Sequence, residues 1–208
     1  RFLAARGGAT TRPSARVAPG PYERAGFVIS FWDHETVVAE RAEPRAAGTS
    51  LAEAHRLLRT YPEDALPAWG GVEEAKQVFA RAKGRGAFAP AEFARLEGAW
   101  ERVTMVGDAH IGNVLATERG ALWTDWEDAF FGPVEWDVAC LRSKADLFGE
   151  ERGAIGAMLE AYGPAYDAEL ARELGLVRNV QVISWLAVFA ERQPELLGRM
   201  RARIERLP

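Results

Sequence analysis

A short apolar hairpin set inside an otherwise helical sequence constrains this chain more than any other feature. Asn113 to Ala116 and Ala121 to Asp125 are apolar pieces bounded by polar residues, and Glu118-Arg119-Gly120 between them suits a tight turn. Pairing of the two pieces brings Asp125 back beside Asn113. A carboxylate and an amide are thereby expected side by side at the open end of the hairpin.

Residues 8 to 24 carry Gly, Pro, Thr and Ser and read as a loop. Phe27 to Trp32 is β-branched and aromatic, hence a strand, and Thr36 to Ala39 is a second short one. A helix is expected from Thr49 or Ser50 to Tyr61, with Ser50 and Glu53 as a capping box and Leu51, Ala54, Leu57 and Leu58 as its buried stripe. Further helices are expected near 72–83 and 90–102. Val103 to Val106 is a short apolar piece. Beyond Trp136 the chain is helical to the end, with breaks at Gly163-Pro164 and Gln193-Pro194. Cys140 and the run Trp185, Leu186, Val188 and Phe189 read as core. This order gives an α+β domain with a helical body and a small sheet inset.

The bulk properties exclude several classes. A length of 208 residues suits one well-filled core. The net charge of −4 and the pI of about 5.6 leave no general basic footprint for nucleic acid. No run of eighteen apolar residues marks a membrane span. Cys140 is the only cysteine, so no disulfide forms within the chain and a reducing, cytoplasmic compartment is expected. The opening Arg1-Phe2-Leu3-Ala4-Ala5-Arg6-Gly7 has no initiator Met and no signal-peptide shape, and reads as the end of a helix in a piece of a longer protein.

The chemistry concentrates in Val106-Gly107-Asp108-Ala109-His110-Ile111-Gly112-Asn113. Kinase catalytic loops use the same Asp-to-Asn spacing. One carboxylate must accept the proton of an attacking hydroxyl, and one amide oxygen must reach a metal on the nucleotide phosphates. Gly107 and Gly112 permit the tight path that turns both toward one cavity. Asp125 beside Asn113 adds a hard oxygen ligand, which suits Mg2+ with phosphate and water completing its shell. Alone, Asp108 reads better as a turn cap; with Asn113 and Asp125 at matching positions, catalysis is favoured. The acids Asp125, Glu127, Asp128, Glu135 and Asp137 fall between Arg119 and Arg142 with no base among them. They read equally as a solvated edge with metal ligands or as a mouth that attracts a cationic substrate.

The string Gly107 to Leu115, then Thr124-Asp125-Trp126, then Gly132-Pro133-Val134-Glu135-Trp136-Asp137-Val138-Ala139 resembles the aminoglycoside phosphotransferase and choline kinase-like family. The resemblance implies a protein-kinase-like fold, here mostly its helical C-lobe, and transfer of the γ-phosphate of ATP to a hydroxyl of a small molecule such as an aminoglycoside or amino alcohol. It makes Asp108 the base, Asn113 and Asp125 the Mg2+ ligands, and Phe31, Trp32 and Asp33 the hinge that holds adenine. His110 supports the loop or lies near the substrate, Asp137 braces the catalytic loop, and Glu127 and Asp128 lie on the substrate side. His55 falls where the family often has His and serves packing or hydrogen bonding. Trp126 and Trp136 read as core and wall residues.

The resemblance divides the chain into an N-lobe remnant and hinge (1–35) and a C-lobe (36–208). The C-lobe carries the catalytic loop (106–115), the metal-binding segment (122–128) and substrate-side helices (134–208). Two departures stand out. Val106 replaces the family's usual His before Gly-Asp. Nothing before Phe27 offers a glycine-rich loop, a phosphate-pairing lysine or its glutamate partner, and the only lysines are Lys76, Lys83 and Lys144. Those parts are expected upstream of Arg1, so this chain alone is expected to be inactive. Two other readings compete. A dinuclear phosphoesterase needs several His ligands, whereas the chain has three His in all, with only His110 near the motif. A non-catalytic kinase-like module fits the absent lobe but not the intact Asp108, Asn113 and Asp125 set.

Overall fold

The computed structural model describes residues 1–62, 77, 80, 81, 84, 89–92, 113–126 and 132–207. The chain forms two compact units. One comprises residues 1–65, 110–127 and 153–165, the other residues 66–109, 128–152 and 166–208.

The first unit holds α1 (Phe2–Ala5), β1 (Tyr22–Arg24), β2 (Phe27–Ile29), β3 (Val37–Ala39), α2 (Pro44–Leu58), β4 (Val114–Thr117) and β5 (Gly120–Trp123). β1 and β2 form a two-stranded antiparallel sheet; β3, β4 and β5 form an antiparallel sheet in that order. The expected hairpin is present, with Val114 opposite Trp123 and Thr117 opposite Gly120. Gly120 closes its turn at a φ of 95°, which favours glycine. α2 covers this hairpin: the Trp123 indole Nε1 donates to Ala47 O at 3.3 Å and Ser50 Oγ at 3.1 Å. Leu51 and Leu57 are buried, as expected, and Ala54 and Leu57 cluster with Leu3, Leu58 and Trp126.

α2 starts five residues before the expected Thr49. Pro44 occupies its first turn, and the Glu43 carboxylate caps it by accepting from Arg45 N at 3.0 Å and Ala46 N at 2.7 Å. The Ser50–Glu53 capping box does not form. Ser50 Oγ donates to Ala47 O, and Glu53 pairs with Arg56 one helical turn away. Gly48 sits inside this helix because Met158 of α4 (Arg152–Tyr162) crosses there; a Cβ on Gly48 would lie 2.0 Å from Met158 O.

In the second unit, α3 (Glu135–Phe148) packs on α5 (Ala168–Phe189), and α5 packs on α6 (Leu196–Ile204). Val180, Ile183, Leu186, Met200, Ile204 and Leu207 form its core. Asp167 caps α5 through Glu169 N and Leu170 N. Breaks fall at 163–167 and 190–195, matching the two expected prolines, and a third falls at Gly149, left-handed at a φ of 73°. Cys140 and Trp136 are buried. Phe189, expected in the core, is half exposed and stacks on Trp185 with ring centroids 5.3 Å apart. Arg203 is buried and donates to Asn179 Oδ1 at 2.8 Å; burial lowers its pKa to about 10. The described positions 77, 80, 81 and 90–92 are helical, and the rest of the expected helices at 72–83 and 90–102, like the apolar piece at 103–106, lie outside the described residues.

Candidate functional site

The β4–β5 hairpin brings two of the expected site residues together. Asn113 immediately precedes β4, and Asp125 follows β5 by two residues. Thr124 N donates to Asn113 O at 2.9 Å, and Thr124 Oγ1 reaches the same oxygen at 3.3 Å. This link holds the chain at Asp125 against the chain at Asn113. Asp125 itself takes a φ of 62°, a left-handed conformation that Asp adopts more readily than most residues and that ends the strand abruptly. Asn113 is half-buried and Asp125 exposed, so both can present oxygen to a ligand at the hairpin mouth.

This donor set has the chemistry of a magnesium site shared with a nucleotide: one amide oxygen and one carboxylate, with remaining positions left to phosphate and water. Among the described residues, no group of three or more His, Cys, Asp or Glu is gathered as a protein-only metal cage. Asp108, His110, Glu127 and Asp128 lie outside the described residues. Asp137 lies in the first turn of α3, where a carboxylate is favoured by the helix dipole. Of the acidic run, Glu135 has a structural task, since its Oε1 accepts from Asp167 N at 2.8 Å.

The expected hinge residues Phe31, Trp32 and Asp33 run beside a strap formed by residues 9–15. Ser14 N donates to Phe31 O at 3.0 Å, Asp33 N donates to Arg12 O at 2.8 Å, and Ala15 N donates to Asp33 Oδ1 at 3.1 Å. Backbone groups of successive residues in an extended chain face opposite edges. The strap takes the edge of Phe31 and Asp33, so the Trp32 N–H and C=O face the other one. Phe31 and Trp32 are exposed.

The opposite side of the strap is fixed to the hairpin. Trp123 N donates to Ala9 O at 2.9 Å, and the buried Thr10 hydroxyl donates to Trp123 O at 3.0 Å. The Trp126 indole Nε1 donates to Thr10 Oγ1 at 2.9 Å and lies 3.1 Å from Trp123 O. Trp126 also packs against the cluster of Leu3, Ala54 and Leu57. The Gly- and Pro-rich composition of residues 8–24 indicated only a loop. Its pairing with positions more than a hundred residues away has no local signal. His55 is buried against Tyr162, with Nδ1 2.8 Å from the phenolic oxygen, consistent with the expected packing and hydrogen-bonding role.

Comparison with curated proteins gives no match. A solved structure, amicoumacin kinase hAmiN in complex with AMP-PNP, Ca2+ and Ami, aligns over 99% of this chain and 74% of its own, with a TM-score of 0.64 and 16% identity. At that identity the likeness speaks for the fold, which is protein-kinase-like, α+β and rich in helix, as the sequence led us to expect. The model of the phosphotransferase enzyme family, APH, matches residues 1–174. The chain belongs to that phosphotransferase family.

Proposed function

We propose that this protein moves the γ-phosphate of ATP to a hydroxyl of a small molecule, with Asp108 as the base and with Asn113 and Asp125 as the protein ligands of Mg2+. The observation that carries this reading is the hairpin register, which returns Asp125 to the side of Asn113. When bound there with the nucleotide, magnesium supplies positive charge against the negative charge of the phosphoryl group in transfer. Asn113 contributes a neutral oxygen and Asp125 a charged one. Asp108, five residues before Asn113, accepts the hydroxyl proton of the acceptor as it attacks. Trp32 holds the adenine through the backbone edge that the strap leaves to it. His110 supports the loop, Asp137 braces it from the start of α3, and Glu127 and Asp128 face the acceptor. The rest of the rate comes from positioning.

The acceptor in this reading is a hydroxylated amine, drawn by Glu127 and Asp128. The name of the aligned structure, an amicoumacin kinase in complex with AMP-PNP, Ca2+ and Ami, agrees with a small-molecule acceptor. A cytoplasmic setting agrees with ATP as donor and with one buried cysteine. Among the described residues no helix is long and apolar enough to cross a membrane.

The test is Mg2+-dependent ATP consumption against a panel of aminoglycosides, amino alcohols and sugars. It is run on this chain and on the chain with any upstream coding sequence restored. Turnover that needs an acceptor and falls about 10^2–10^4-fold in Asp108→Asn, with unchanged thermal unfolding, supports the kinase reading. No turnover with any acceptor, together with no binding of Mg·AMP-PNP, moves the weight to a non-catalytic module.

A further inference from the structure

The strongest contact that the phosphotransfer chemistry leaves unused is at the tip of the β4–β5 hairpin. Arg119 Nε donates to Glu35 Oε2 at 3.0 Å, and its NH2 group donates to both Glu35 Oε1 and the Thr10 carbonyl, the latter at 3.2 Å. Surface ion pairs generally contribute little. This one differs in kind: it is bidentate, it has a third acceptor on the backbone, and the Glu35 side chain keeps only 10% of its surface exposed. Its hydrogen bonds to Glu35 hold the Arg119 guanidinium above the ordinary arginine range, and the nearby charges of Glu35 and Asp33 add to this.

The partners of Arg119 explain its placement. Glu35 lies two residues after Asp33, at the end of the segment that carries Trp32. Thr10 lies in the strap whose hydroxyl grips Trp123 and Trp126, on either side of Asp125. Glu118 N donates to Thr36 O at 3.3 Å and adds a backbone tie beside the ion pair. One guanidinium therefore touches both the base-holding segment and the strap that anchors the metal-holding end of the hairpin. Lysine carries the charge but cannot make the planar two-pronged contact.

We propose that Arg119, clamped by Glu35 and the Thr10 carbonyl, is a positioning residue that sets residues 31–33 in register with the hairpin end bearing Asn113 and Asp125. The idea rests on the phosphotransferase reading above. It assigns Arg119 no contact with substrate or nucleotide. Its effect falls on ligands that span both halves of the site and spares those that use one.

Calorimetric titration of the protein, with any upstream coding sequence restored, with Mg·AMP-PNP and with adenosine tests this directly. In Arg119→Ala the Kd for Mg·AMP-PNP rises about tenfold, while that for adenosine moves less than about twofold. Glu35→Ala behaves alike, and the double variant is no worse than either single one, because both remove the same link. Arg119→Lys, which keeps the charge, gives an intermediate loss. Equal weakening of both ligands, or additive losses in the double variant, overturns the inference. Unchanged Mg·AMP-PNP binding in Arg119→Lys and Arg119→Ala does the same. A wild-type protein that, with any upstream coding sequence restored, fails to bind Mg·AMP-PNP at all overturns the phosphotransferase reading first and the inference with it.

Discussion

The molecule contains two antiparallel hairpins built to nearly the same plan. β1–β2 turns through Ala25 and Gly26 and β4–β5 turns at Gly120, and each turn uses left-handed backbone. Their surroundings are opposite. In β4–β5, Val114, Ala116, Ala121, Leu122 and Trp123 are buried, whereas every residue of β1 and β2 is exposed, including Phe27 at 71% and Val28 at 72%. For β2 apolar content does not explain this, since Phe27-Val28-Ile29 is as apolar as any described strand. Cover explains it. β4–β5 has β3 on one edge and α2 across its face, while among the described residues β1–β2 pairs with no third strand, an arrangement that is marginal in water. The oxygen pair Asn113 and Asp125 sits on the hairpin that can hold a fixed geometry.

The largest expected effect tests that contrast in its own terms. Leu122 is 2% exposed, and Leu122→Ala removes buried methyl groups from the β4–β5 hairpin. A loss of about 2–5 kcal/mol is expected in urea denaturation. Val28→Ala, on the exposed hairpin, is expected to change stability by less than about 0.5 kcal/mol. Equal losses in the two variants break the comparison, because they require β1–β2 to be covered in solution.

A smaller effect probes the cover. Gly48→Ala places a methyl group against the Met158 backbone, which cannot rotate away as a side chain would. α2 must then shift from α4, at a cost of about 1–3 kcal/mol. Because the same helix accepts the Trp123 indole bond at Ala47 and Ser50, the shift also loosens the hairpin below it. Trp123 fluorescence and the urea midpoint should change together. A midpoint that falls with unchanged fluorescence separates the helix packing from the hairpin.

What the sequence disclosed follows the same divide. The β4–β5 hairpin was legible because its signals are local: two short apolar runs bounded by polar residues, a turn with glycine where positive φ is needed, and an interval that sets the register. The proximity of Asn113 and Asp125 follows from that register alone. β1 was missed because Tyr22-Glu23-Arg24 is mostly polar and sits among Gly20, Pro21 and Gly26, which signal a loop. Its turn also puts Ala25 at a φ of 51°, which residue identity does not suggest. The start of α2 was missed for a different reason. Gly48 looks like a breaker, and only the crossing of Met158, more than a hundred residues away, explains it. The Arg119–Glu35 clamp and the strap are likewise long-range pairings without a sequence pattern. The family motif singles out the proposed site residues, whereas the contacts that hold the chain at Asn113 and Asp125 lie outside any local window.

The smallest effect concerns the cap that starts α2 and thereby sets the cover's edge. Backbone N–H groups of Arg45 and Ala46 bond to the Glu43 carboxylate and hold its pKa below the ordinary value of 4.5. These bonds favour the ionised form in the folded protein. Their contribution is therefore present above pH 4.5 and is lost as pH falls through the lower folded value. Glu43→Ala should lower the melting temperature at neutral pH, and the gap from wild type should close on acidification. Amide exchange can place this loss in the structure. If α2 is the cover that distinguishes the hairpins, Glu43→Ala speeds exchange in β4–β5 at neutral pH and leaves β1–β2, already exposed, unchanged. Equal acceleration in both would mean that the two hairpins share one cooperative unit, and that a common core rather than the helix across one of them sets their stability.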